Sequence, residues 1–256
     1  MIYYQTGREF KVLDNDQACF LPENVRIGSV LLEAGAFMFD TETIAYIRGY
    51  IGDTLKDKSF VDIGTNYGAY IMSLQDLFAH CYGFEPSKQI YNIACANMAL
   101  HRISDKTTLY NCGLSDKCDM LKYTSVDEFG GCNFFVKEEE TDTSVTLAHR
   151  MDGYRDDFRT SCYMQVNRLD DYNIKNIGLI KIDVEGFELN VLKGGQETLA
   201  RNGYPMLIVE SWNVEENDTD EIKEAKTKLR NELFEFVTDM GYKSRQIGYD
   251  NFLFIR

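Results

Sequence analysis

Apolar and polar positions alternate along the chain with two different periods. Around Gly35, residues 24–39 read as two short extended pieces, and Ile44, Ile47 and Ile51 then recur at helical spacing. From Ser59 the rhythm becomes short apolar strand, turn, amphipathic helix: strand 59–63, helix 67–79, strand 81–85, helix 87–101 and strand 107–111. Residues 117–168 interrupt it with the Gly130-Gly131 pair, the acidic run Lys137 to Asp142 and irregular pieces, and read as an insertion. The rhythm resumes with strand 178–183, helix 187–201, strand 205–211 and helix 219–240, then a closing β-hairpin turning near Tyr249-Asp250. Such alternation predicts an α/β fold, a parallel sheet covered by helices on both faces.

Composition narrows the picture. With 256 residues and 44% hydrophobic content the chain can bury one full core, so a single domain is expected: an N-terminal extension or cap over 1–58 and a Rossmann-like core over 59–256 that carries the insertion. Lys and Arg total 27 against 41 for Asp and Glu, a formal charge of −14 that repels phosphate backbones and anionic membranes. No nucleic-acid or membrane partner is expected. Neither a signal-peptide pattern nor an apolar run of transmembrane length occurs, which predicts a soluble, cytoplasmic protein. The seven cysteines, at 19, 81, 95, 112, 118, 132 and 162, include no C-x-x-C pair and read as reduced, mostly core-filling thiols.

The candidate chemistry begins at "FVDIGTNYGAY", Phe60 to Tyr70. An apolar strand ends near Asp62, and Gly64-Thr65-Asn66-Tyr67-Gly68 supplies glycines where backbone must approach a ligand, with a helix N-terminus to follow. Neither the dinucleotide G-x-G-x-x-G spacing nor a P-loop Lys-Ser/Thr is present, which argues against a nicotinamide oxidoreductase and a nucleotide triphosphatase. The second strand ends in Glu85, 23 residues after Asp62, where a carboxylate can accept from both ribose hydroxyls. A ligand with an amino-acid end and a ribose end fits both acids: S-adenosylmethionine. On the fourth core strand, Lys181, Asp183 and Glu185 occupy alternate positions and share one side of the strand or its exit. The bland alternative is a Lys181–Asp183 ion pair that only shores up the sheet.

"FVDIGTNYGAY", "GFEPS", "CGLSD", "IKIDVEGFELNVLKGG" and "LIVES" occur in the order and form that resembles FkbM-type S-adenosylmethionine-dependent methyltransferases, from about Ser59 to Asn213. "KIDVEGFE…VLKGG" is the most specific element. The resemblance implies a seven-stranded sheet whose last strand, "NFLFIR", runs antiparallel, and O-methylation of hydroxyls on sugars, polysaccharides or other natural products. It implies Asp62, Gly64, Asn66 and Gly68, with Thr65 between them, around the methionine part of the cofactor. Glu85, with Pro86 and Ser87 beside it, falls at the ribose and Gly113-Leu114-Ser115 near adenine. Residues 1–58 carry only a loose likeness, through which Glu42 lines the methionine end.

Methyl transfer from a sulfonium to a hydroxyl is an in-line displacement that needs alignment and removal of the hydroxyl proton. Asp183, at the carboxyl end of a central strand, is the expected base, with Lys181 orienting it or stabilising the developing alkoxide and Glu185 in reserve. A second version binds magnesium or manganese through Asp183, Glu210 and Asn213. His149 in the insertion reads as a base reaching over the cofactor or as a surface residue. Trp212 reads as a platform for a sugar ring or as hydrophobic packing. Tyr123, Phe129, Phe134, Phe135, Tyr154, Phe158 and Tyr163 read as a substrate-recognising lid or as a satellite core. Two further readings stay open, a cofactor-binding protein without catalysis and a methyltransferase for another natural product, a protein or RNA. The first has no use for Lys181 and Asp183, and no Asn-Pro-Pro-Tyr-like element follows the fourth strand to clamp a base amino group.

Overall fold

The structure is a computed structural model, and it describes residues 2–5, 8–12, 20–22, 40–126, 134–136 and 159–256. Residues 24–39, the acidic run from Lys137, and Phe129, His149, Tyr154 and Phe158 lie outside the described residues.

Strands β1 (Ile2–Gln5), β2 (Arg8–Val12) and β3 (Phe20–Pro22) pair antiparallel in a small sheet. Helix α1 (Thr41–Ile51) buries Ile44, Ile47 and Ile51, the three positions whose spacing predicts it. Then come β4 (Ser59–Ile63), α2 (Ala69–Leu74), β5 (His80–Phe84), α3 (Lys88–Leu100) and β6 (Thr107–Tyr110). Next are β7 (Gly113–Leu114), β8 (Asp119–Val126), β9 (Phe134–Val136) and β10 (Arg159–Asn167). The chain closes with β11 (Ile177–Ile182), α4 (Glu188–Lys193), α5 (Gln196–Arg201), β12 (Met206–Glu210), α6 (Asp220–Asp239), β13 (Lys243–Gln246) and β14 (Asn251–Ile255).

The main sheet has seven strands in the order β13-β14-β12-β11-β4-β5-β6. Strands β12, β11, β4, β5 and β6 are mutually parallel, and β14 inserts antiparallel between β12 and β13. Its central strands are buried on both faces, which is why they read as continuous apolar runs. On one face Phe60, Leu179, Ile208 and Leu253 pack against α1 and α2 through Ile44, Ile47, Ile71 and Leu74. On the other, Val61, Ile180, Val209 and Phe254 pack against Val191, Leu199, Leu233 and Val237 of α4, α5 and α6.

Three expectations change. The helix expected over 67–79 is six residues long and tightens into a 3₁₀ turn at Gln75–Leu77, because Gly68 at φ 89° caps it late. The helix expected over 187–201 breaks at Gly194-Gly195, where the chain lies against the loop after β7. A Cβ on Gly194 would stand 2.0 Å from the Ser115 carbonyl oxygen. The insertion is more regular than its composition suggests: β8 pairs antiparallel with β10 and β9, and β10 pairs in parallel with β7. Leu121, Tyr123, Met164 and Val166 point to its inner face, and Met120, Lys122, Tyr163 and Gln165 to solvent. Among the five described cysteines, Cys81 and Cys112 are buried, whereas Cys118 and Cys162 are exposed, so core-filling accounts for only part of the set.

Candidate active site

The carboxyl ends of β4, β5, β11 and β12 lie side by side, the edge at which open α/β sheets bind ligands. Asp62 pairs in register with Lys181 on the neighbouring strand, and the Asp183 N–H donates to the Ile63 carbonyl at 3.0 Å. The chain leaves β4 through a loop that only selected residues can form. Gly64 sits at φ 82°, and a Cβ there would stand 1.8 Å from the Asp183 carbonyl oxygen. Asn66 takes the left-handed region at φ 51°, which its short polar side chain tolerates. The N–H groups of Gly64 and Thr65 both donate to the Phe84 carbonyl, and the Thr65 hydroxyl donates to the Asp62 carbonyl at 2.7 Å. Asn97 from α3 donates to the Tyr67 carbonyl at 2.8 Å and holds the loop from behind.

Glu85 sits one residue beyond β5. Its carboxylate accepts from the Asn66 N–H at 3.1 Å and the Ser87 N–H at 2.8 Å, tying the tips of β4 and β5 together. Pro86 is held through its carbonyl, which accepts from Asn111, and Ser87 caps α3. Burial pushes the Glu85 pKa up to about 7, with both N–H groups working the other way and Asp62 adding to the rise. Asp62 is buried at 1% exposure, and neither carboxylate oxygen has a hydrogen-bond partner among the described residues. Burial raises its pKa to about 7, Lys181 opposing and Asp183 reinforcing.

Lys181, 2% exposed, donates to Asp183 at 2.9 Å, with its ammonium 4.3 Å from the centre of the Tyr70 ring. Burial works against the ammonium, but Asp183, Asp62 and Glu210 outweigh it and raise the pKa above the usual lysine value. Beyond β11 the chain turns through Glu185 at φ 55° and Gly186 at φ 101°. This turn is held from inside by Glu188, which accepts from the N–H groups of Val184 and Gly186, both at 3.1 Å. Carboxylate oxygens of Asp183, Glu185 and Glu210 come within 4.8 Å of one another. That hard-oxygen set suits a divalent cation.

The Asn213 amide is committed to Arg230, at 3.0 Å, and to the Tyr249 carbonyl. Glu185 therefore joins the acids where Asn213 was expected. Trp212 is 6% exposed and lines, with Glu210 and Arg230, a cavity of about 30 Å³, too small for a sugar ring. Glu42 is exposed in the first turn of α1. Gly113-Leu114-Ser115 lies where β7 meets β10, the Ser115 N–H donating to Asn167 at 2.8 Å. Tyr123 is buried on the inner face of β8, in a cluster with Val166 and Phe187 that seats the inserted sheet on the 183–187 turn. Glu188, Asp40 and Tyr70 were missed by the sequence reading. Only Glu188 had a local signal, an acid just after a glycine turn.

The stretch of chain that carries these strand tips is similar to known proteins. Residues 62–244 match the Methyltransferase FkbM domain. The chain belongs to the FkbM methyltransferase family. It is 28% identical over 173 residues to "Methyltransferase sdnD" of Sordaria araneosa, a match covering 59% of this chain and 65% of that protein. Identity to "Methyltransferase 1" of Beauveria bassiana (strain ARSEF 2860) is 28% over 147 residues, covering 54% and 58%. The match thus spans under two thirds of each of these relatives. The crystal structure of a methyltransferase FkbM from Methylobacillus flagellatus KT superposes with a TM-score of 0.52 at 16% identity, over 84% of this chain and 48% of that one, a likeness of fold. No described helix is long and apolar enough to cross a membrane.

Proposed function

We propose that this member of the family is an S-adenosylmethionine-dependent O-methyltransferase acting on a hydroxyl of a sugar or oligosaccharide. One juxtaposition carries the reading: a buried carboxylate without a hydrogen-bond partner among the described residues, Asp62, lies beside a glycine loop and next to three converging acids at the ends of β11 and β12. A cofactor bearing an ammonium and a ribose fits these residues. Asp62 lacks a partner of the kind an ammonium supplies. The glycine at 64 lets the loop close directly on the Asp183 carbonyl, which brings Asp62 and Asp183 to one edge. Glu85 spends one lone pair of each oxygen on an N–H and retains the others for hydroxyls. Bound S-adenosylmethionine supplies an electrophilic methyl on a sulfonium.

The residues of the chain then do the remaining work. Asp62 and the loop hold the amino-acid end, Glu85 the ribose, and Gly113 to Ser115 the adenine. Asp183 accepts the acceptor hydroxyl's proton as the oxygen attacks, while Lys181, bonded to one oxygen of Asp183, stabilises the charge that forms. The acid-rich mouth and the net charge of −14 favour a neutral polyhydroxyl acceptor over nucleic acid. The convergence of Asp183, Glu185 and Glu210 favours a second version, in which a magnesium or manganese ion is held there and orients the acceptor oxygen.

The test is titration calorimetry with S-adenosylmethionine and S-adenosylhomocysteine, with magnesium or manganese and with EDTA, followed by a mass screen of oligosaccharides for a gained methyl. Glu85→Ala is expected to weaken cofactor binding roughly 10- to 100-fold, the worth of hydrogen bonds to a charged group. Asp183→Asn is expected to lose turnover by about 10²- to 10⁴-fold. Unaltered affinity in the Glu85 variant would refute the ribose assignment. Turnover that survives EDTA would remove the metal version.

A further inference from the structure

Lys181 has three carboxylates within electrostatic reach, Asp62, Asp183 and Glu210, yet donates to Asp183. What surrounds its ammonium decides this choice. The Tyr70 ring stacks on it at 4.3 Å, and the Tyr70 hydroxyl donates to Asp40. The same Asp40 oxygen accepts from Asn251 Nδ2 at 3.0 Å, which anchors it to β14. Asp40 occupies the N-cap position of α1, where an aspartate ordinarily caps the helix with its own side chain. Here it makes no such bond, and its backbone is left-handed at φ 45°. The side chain is turned instead toward Tyr70 and Asn251.

We propose that Asp40 and Tyr70 are positioning residues that hold the Lys181 ammonium on Asp183 and off Asp62, keeping Asp62 open for the ammonium of the cofactor. The physical basis is competition. A buried ammonium attracted by more than one acid goes where its remaining contacts send it, and the ring face is a contact that neither acid supplies. With the ring fixed by Asp40, Lys181 serves the proton acceptor. With the ring released, Lys181 turns to the buried Asp62 and occupies the place of the ligand. The inference rests on the cofactor reading above, and its test separates the two.

Three variants are compared, Asp40→Ala, Tyr70→Phe and Lys181→Met, with the Asp40→Ala/Lys181→Met double. Calorimetry with S-adenosylhomocysteine is expected to show affinity down about tenfold in Asp40→Ala, the size of one competing ion contact in a partly desolvated site. Tyr70→Phe, which keeps the ring and loses its tie to Asp40, is expected to fall between Asp40→Ala and the parent. In the Lys181→Met background, Asp40→Ala is expected to change nothing, because no ammonium remains to move. Losses that add in the double variant would overturn the proposal, as would wild-type affinity in Asp40→Ala. A plain stabilising role would lower Tm without this non-additivity. Crystal structures of the ligand-free Asp40→Ala and Tyr70→Phe proteins give a readout that needs neither ligand nor turnover. Lys181 is expected nearer Asp62 in both, and Lys181 still seated on Asp183 in both would sink the tether even if the cofactor binds. A wild-type protein that ignores S-adenosylhomocysteine while Lys181 moves in the variants would overturn the function and leave the tether standing.

Discussion

At the scale of single residues, the site is built from acids held out of water. Asp62, Glu85 and Glu188 all have pKa values pushed up to about 7, in each case by burial first. A carboxyl whose folded pKa exceeds its unfolded one binds more protons folded than unfolded across the interval between them. Its contribution to stability is therefore complete below about pH 4 and is lost as pH rises through about 7. The ligand-free protein is expected to lose Tm between about pH 5 and pH 8 more steeply than Asp62→Asn, which lacks one of these groups. Parallel slopes in the two proteins would refute the role of Asp62. A cationic ligand has the opposite preference, so affinity for S-adenosylhomocysteine is expected to rise over the same interval, with protons released on binding. Asp62 and Glu85 were legible in the sequence because each closes an apolar strand next to a turn. Asp40 and Tyr70 were not, since Asp40 meets Tyr70 across 30 residues and Asn251 across 211, and nothing local marks either contact.

At the scale of elements, the strands of the main sheet were legible because burial on both faces writes them as unbroken apolar runs. All five residues of β4 and all six of β11 are buried, which is that signal seen from the structure. The inserted sheet was not legible, since β8 and β10 pair residue for residue, from Asp119 with Val166 to Val126 with Arg159, with residues 127–158 between them in sequence. Glycines were recognised as such, but the sequence could not rank them. A Cβ at Gly64 would meet immovable backbone, the Asp183 carbonyl, whereas one at Gly68 would meet the flexible end of the Met98 side chain at 2.5 Å. Both have positive φ, so alanine costs about 1–2 kcal/mol at either from conformation alone. Gly64→Ala is expected to lose clearly more Tm than Gly68→Ala, and to lose cofactor binding with it. Equal losses in thermal denaturation would show that the β4 and β11 tips separate more easily than this packing implies.

At the scale of the whole molecule, two sheets meet where the ligand is expected. The seven-stranded sheet supplies the acids, and the four-stranded sheet β7-β10-β8-β9 leans its inner face on the 183–187 turn through Tyr123, Val166 and Phe187. Their covalent link is short. Strand β7, the stretch expected at adenine, follows β6 by two residues and pairs with β10 at Val166–Gly113 and Asn167–Leu114. Occupancy at adenine therefore bears directly on the strand that carries the second sheet. Hydrogen exchange in β8 and β10 is expected to slow when S-adenosylhomocysteine binds. That pairing has a kinetic consequence. If the wall over the acceptor settles only once adenine is in place, the two substrates add in a fixed order, cofactor first. Product inhibition would then show S-adenosylhomocysteine competing with S-adenosylmethionine and not with the acceptor, so that a two-residue parallel ladder sets the sequence of events in each turnover.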